Sequence, residues 1–133
     1  MIPDFDERGY LPPGIHIASL DEVEARFGRD AEIRCAQMDS LRWLAELVQR
    51  SGAERLIVNG SFVTDVVEPN DVDCAVLLGD DYPQDPDAAD ELADGLPFID
   101  LQLLEDAEFA ILVGEFFATD RDENPKGVIE IPI

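Results

Sequence analysis

Apolar and polar positions follow two periods along this chain. Between about residues 30 and 51, Ile33, Gln37, Leu41, Leu44 and Val48 recur at helical spacing, and Leu47 widens the stripe. The spacing predicts the main helix, closed by Gly52. Ser19 and Glu22 form a capping box, which predicts a short helix to about Phe27, stopped by Gly28. Arg55–Asn59 is a short apolar run of strand type, broken at Gly60-Ser61. Phe62–Val67 predicts at most a weak helix, because its β-branched residues resist that state. Pro69 and Asn70 then break the chain before a second strand run that ends at Leu78.

The second half reads the same way. Asp85 caps a helix with Pro86 in its first turn and Gly95 after its end, and its acids Asp87, Asp90, Glu91 and Asp94 face water. Pro97–Leu104 predicts a strand. Asp106 is expected to cap a helix with the apolar face Phe109, Leu112, Val113 and Phe116, which Gly114 weakens. Asp120–Asn124 predicts a turn, and Gly127–Ile131 a final strand followed by Pro132, which suits a sheet edge or a strand end. Residues 1–18, broken by Pro3, Pro12 and Pro13, predict an extended N-terminal arm. The sum is one domain over residues 1–133, of the α/β or α+β kind, with a small mixed sheet flanked by helices.

Charge changes the picture more than hydropathy does. Against 31 acidic residues stand 9 basic ones, a net −22, and Lys126 is the only lysine. Such a surface repels nucleic acid over most of its area. It reads either as a solvated acidic shell or as a docking surface for a basic protein partner. The 2 cysteines, Cys35 and Cys74, are too few for a disulfide framework and read as reduced core or near-core residues. With an acidic, proline-broken N-terminus in place of a signal peptide, this predicts a cytoplasmic protein. No apolar run reaches the ~20 residues of a membrane helix, so no membrane association is expected.

Candidate chemistry centres on Asp71 and Asp73. On a strand, alternate side chains share a face, so these two carboxylates are expected to point the same way while Val72 and Cys74 enter the opposite layer. Paired carboxylates repel, and a hard divalent cation, Mg²⁺ or Mn²⁺, relieves the repulsion through oxygen ligands. Gly60 permits a tight turn. Ser61 is expected to cap a short helix from Phe62, whose amides favour phosphate.

Gly60-Ser61, a gap of about ten residues and Asp71-Val72-Asp73 in an apolar setting resemble the nucleotidyltransferase superfamily. The whole chain is also similar to a small family of nucleotidyltransferase-like proteins in Leu11-Pro12-Pro13-Gly14-Ile15-His16, in Asn59-Gly60-Ser61-Phe62-Val63-Thr64, and from Phe116-Phe117 to Pro125-Lys126-Gly127. The resemblance implies a minimal nucleotidyltransferase fold and a third carboxylate on a later strand. Asp100, within Phe98-Ile99-Asp100-Leu101-Gln102-Leu103, fits that place. A lone acid in an apolar strand is costly to bury, which itself predicts a shared metal or an opening to solvent. Glu130 is its rival.

Lys126 and Arg121 are candidates for polyphosphate binding, or for ordinary surface ion pairs. His16 reads as structural, and with 1 histidine no multi-histidine metal site forms. Two functions follow. One is transfer of a nucleoside monophosphate from a Mg²⁺-bound nucleoside triphosphate to an acceptor hydroxyl, with Asp71, Asp73 and Asp100 as catalytic and metal-binding residues and Gly60, Ser61, Arg121 and Lys126 as nucleotide-binding ones. The other, implied by similarity to antitoxin-type nucleotidyltransferases, is a non-catalytic module that masks a basic, helical ribonuclease toxin. No second domain is available for the acceptor, so a partner or a second copy (a homo-oligomer) would supply that surface.

Overall fold

A computed structural model describes residues 2–133, so Met1 of the expected domain and arm lies outside the described residues. The elements run β1 (Gly14–Ile17), α1 (Leu20–Phe27), α2 (Glu32–Ser51), β2 (Arg55–Asn59), β3 (Val72–Leu77), α3 (Pro86–Asp94), β4 (Ile99–Leu104), α4 (Asp106–Ile111) and β5 (Gly127–Ile131). This is an α+β domain on one five-stranded mixed sheet, in the order β1-β5-β2-β3-β4. β2 is antiparallel to both β3 and β5, while β3 with β4 and β1 with β5 are parallel.

Local chemistry accounts for most helix ends. The Ser19 side chain accepts from the Glu22 amide at 3.2 Å while the Glu22 carboxylate accepts from the Ser19 amide at 3.1 Å, closing the capping box. Gly52 ends α2 in the left-handed region, at φ 82°. Asp85 accepts from the amides of Asp87 and Ala88 and starts α3. The α2 stripe is buried from Gln37 onward: Leu41, Leu44 and Val48 are each 0% exposed, while Ile33 is half-buried. Truncating one such leucine to alanine costs about 2–5 kcal/mol.

The sheet separates two apolar clusters. The larger joins Val23 and Phe27 of α1 and the α2 stripe to Leu56, Val58, Val72, Cys74 and Val76. The smaller packs Phe109, Val113 and Phe117 against Ile57, Ala75, Leu77 and Val128 on the other face. Val72 and Cys74 therefore do enter the layer opposite the aspartates.

Within the residues of the arm, Gly14–Ile17 forms edge strand β1 beside β5. Four expectations need correcting. Only Ser61–Val63 of the weak 62–67 helix forms, as a 3-10 turn with Gly60 at its cap position and no side-chain cap, so Ser61 does not cap it. Asp106 is not a cap either, since Glu105 holds that position without a side-chain bond. After α4 the chain widens into a π-turn, Leu112–Phe116, with the Phe117 amide donating to the Leu112 carbonyl at 2.8 Å. The extra residue turns Phe116 out to 66% exposure and brings Phe117 into the core. Finally, Cys35 is exposed and only Cys74 is buried.

Candidate functional site

Three strands deliver one row of polar side chains. Across the sheet, Asn59 of β2 is in register with Asp73 of β3, and Asp73 with Asp100 of β4. Register partners share a face, so the three lie on the face of the smaller cluster. That cluster takes up Ala75 and Leu77 further along β3 and leaves Asp73 outside it. Asp71 lies just before β3, and its exposed side chain lines the same cleft.

The cleft measures about 660 Å³. All seven residues singled out from the sequence line it: Gly60, Ser61, Asp71, Asp73, Asp100, Arg121 and Lys126. Tyr10, Asn70, Asp120 and Asp122 join them. Asp73 is half-buried, whereas Asp71 and Asp100 are exposed, so the cost of an acid in β4 is met by an opening to solvent. Burial, and next the charge of Asp100, push the Asp73 carboxyl up from its ordinary range, Asp71 adds to this, and Lys126 opposes it. Lys126 is itself half-buried, and burial lowers its ammonium against the pull of Asp73 and Asp120. It is the internal counter-charge of the row.

Gly60 has φ 81° and ψ −168°, a conformation reserved for glycine. A Cβ there would also overlap the Asp73 carboxylate. The turn and the strand thus touch through the bare Cα. Ser61 uses its carbonyl locally, accepting from the Thr64 hydroxyl at 2.7 Å and the Thr64 amide at 3.2 Å.

The far wall is the 120–124 turn. Asp120 accepts from the amides of Asp122 and Asn124, both at 2.9 Å, and from the Tyr10 hydroxyl at 3.0 Å. These donors, led by the Asn124 amide, hold its carboxyl down at about 2. The turn ties the N-terminal segment to Lys126, whose amide donates to the Ala118 carbonyl at 2.9 Å.

Glu130 is occupied elsewhere. Arg55 grips it twice, Nε to Oε2 at 3.0 Å and Nη2 to Oε1 at 2.6 Å, and the same guanidinium lies 5.2 Å from the Phe109 ring centroid. His16 is structural, its Nε2 bonded to the Pro12 carbonyl at 2.7 Å.

The donors suit a hard divalent cation: three aspartates in one cleft, with the buried Asn59 Oδ1 unpartnered beside Asp73 in register. Among the described residues, no three His, Cys, Asp or Glu side chains stand together as a ready-made ligand cluster. The sequence reading missed Asn59, Tyr10 and Asp120. Asn59 sits one residue before the glycine at a strand end, which was its only signal.

Fold and cleft together define an α+β domain with an acidic cleft at one end of its sheet. The chain belongs to DUF6932, a family of unknown function, whose model matches residues 3–132. No curated protein and no solved structure matches it. No helix among the described residues is long and apolar enough to cross a membrane.

Proposed function

We propose that the cleft binds a nucleoside triphosphate with Mg²⁺ and transfers its nucleoside monophosphate to an acceptor hydroxyl, breaking the bond between the α- and β-phosphates and releasing pyrophosphate, as in a minimal nucleotidyltransferase. The observation that carries this is the register of Asp73 with Asp100, beside the Gly60 turn. The neighbouring strands β3 and β4 bring these carboxylates together against their own repulsion, which Lys126 opposes.

Asp71, Asp73 and Asp100 would hold the cation, which when bound polarises the phosphates and acidifies the acceptor hydroxyl. Ser61 orients phosphate through its hydroxyl. Lys126 and Arg121 supply the positive charge that the polyphosphate needs. The protein's net −22 disfavours a nucleic-acid acceptor and suits a cationic or protein one.

The second reading is a binding module that masks a basic helical toxin. It is favoured by the same charge. Incubation with labelled nucleoside triphosphates and Mg²⁺, with and without cell extract, separates the two. Label transferred by wild type and lost in Asp73→Asn supports the enzyme. Nucleotide bound but never transferred leaves the masking module.

A further inference from the structure

Between the Gly60 turn and Asp71 the chain has no regular structure beyond the 3-10 turn. We infer that Arg34 and Gln37, both on α2, are the positioning residues of the cleft. They grip the main chain of residues 61–69 and so set how far the Gly60-Ser61 turn stands from the aspartates. What the positioned groups bind rests on the nucleotide reading above; the positioning itself rests on hydrogen bonds.

Arg34 is 4% exposed, rare for a guanidinium. Its Nη1 donates to the carbonyls of Phe27 at 2.9 Å and Phe62 at 2.7 Å. Its Nη2 donates to the carbonyl of Thr64 at 2.9 Å, to that of Val66, and at 3.5 Å to that of Ser61. The guanidinium also lies 5.4 Å from the Phe62 ring centroid. No ion pair to Arg34 forms among the described residues; Asp30 and Asp65 act on it only through their charge. One turn along α2, Gln37 is 0% exposed and its Nε2 donates to the Pro69 carbonyl at 2.7 Å.

A buried charge survives only if its donors are satisfied, and here loop carbonyls satisfy them in place of a carboxylate. The dependence runs both ways. Without the planar fork, the loop carbonyls would be left unpaired and the loop would relax. A lysine places three donors about one point and cannot reproduce the fork. Arg34 and Gln37 do not themselves line the cleft, so they act on it through the loop, whose Ser61, Thr64 and Val66 do.

The test compares Arg34→Met, Arg34→Lys and Gln37→Met with Leu47→Ala, a core change further along α2. Affinity for a non-hydrolysable ATP analogue with Mn²⁺ is read by calorimetry, and amide exchange by mass spectrometry. The Arg34 and Gln37 variants should lose affinity by about tenfold or more and expose the 61–69 amides selectively. Leu47→Ala should keep wild-type affinity at an equal or larger loss of Tm. Affinity that merely tracks Tm across all four variants overturns the inference, as does unchanged 61–69 protection. If Arg34→Met does not fold, Gln37→Met and Arg34→Lys carry the same comparison. If wild type binds no nucleotide, the reading of the cleft fails, and the exchange pattern alone decides whether these two residues hold the loop.

Discussion

The Asp73 carboxylate occupies the space where a Cβ on Gly60 would stand. Two separate demands therefore meet at Gly60: a backbone conformation reserved for glycine and room for its neighbour's side chain. Gly60→Ala should cost about 1–3 kcal/mol from the backbone alone and displace Asp73 as well. Chemical denaturation measures the first effect. Mn²⁺ titration measures the second, and binding unchanged from wild type would show that the Asp73 position does not matter to the cation.

Asp73 also predicts a pH dependence. Its carboxyl is raised from its ordinary value, chiefly through burial and then through Asp100. A carboxyl raised on folding contributes stability that is fully present below its unfolded pKa and is lost as pH rises through the folded value. Asp73→Asn removes that loss. The variant should melt higher than wild type at pH 7, and the gap should close as pH falls below ~4. Adding Mg²⁺ at pH 7 should raise the wild-type Tm and leave the variant's unchanged. Equal melting at pH 7 without Mg²⁺ would mean that Lys126 already cancels the repulsion.

Asp100 and Glu130 should separate cleanly. Glu130 is held by both arms of Arg55, so Glu130→Gln should cost about 1–2 kcal/mol of stability and leave nucleotide transfer intact. Asp100 is exposed, so Asp100→Asn should change stability by less than about 0.5 kcal/mol and abolish transfer with nucleotide affinity nearly kept. The reverse pattern in a transfer assay would move the third carboxylate to β5.

The π-turn makes a sharper test of packing. Phe117→Ala should cost about 3–5 kcal/mol, and Phe116→Ala no more than about 0.5 kcal/mol. Urea midpoints of the two variants in the opposite order would restore an unbroken helical face.

Where a signal is local, the sequence carried it. The α2 stripe, the Ser19-Glu22 box, the Asp85 cap, β2 and β5 all depend on neighbours within a turn or on alternation. The Gly60-Ser61 turn, Asp71 and Asp73 stood out as polar residues at apolar strand ends, the resemblance pointed to Asp100, and all of them line one cleft. What escaped depends on distant or main-chain partners. β1 is an edge strand whose isoleucines stay exposed, and it exists because β5 offers it a ladder. Arg34 looks like any charged residue of a helix until its carbonyl partners surround it. The π-turn inserts one residue without a proline or a special motif to announce it, which moved Phe116 and Phe117 between solvent and core.

The position of β5 has a consequence for timing. It is the last strand in the sequence, yet it sits between β1 and β2, pairing residue 14 with residue 127. During synthesis, β1 must wait without a neighbour while β2, β3 and β4 are already able to pair. Such long-range closure is slow. Lys126, the only lysine, comes directly before β5, so a chain stopped short of it lacks the ammonium that opposes the charge around Asp73. The same late step that completes the sheet therefore also brings in the lysine that faces Asp73.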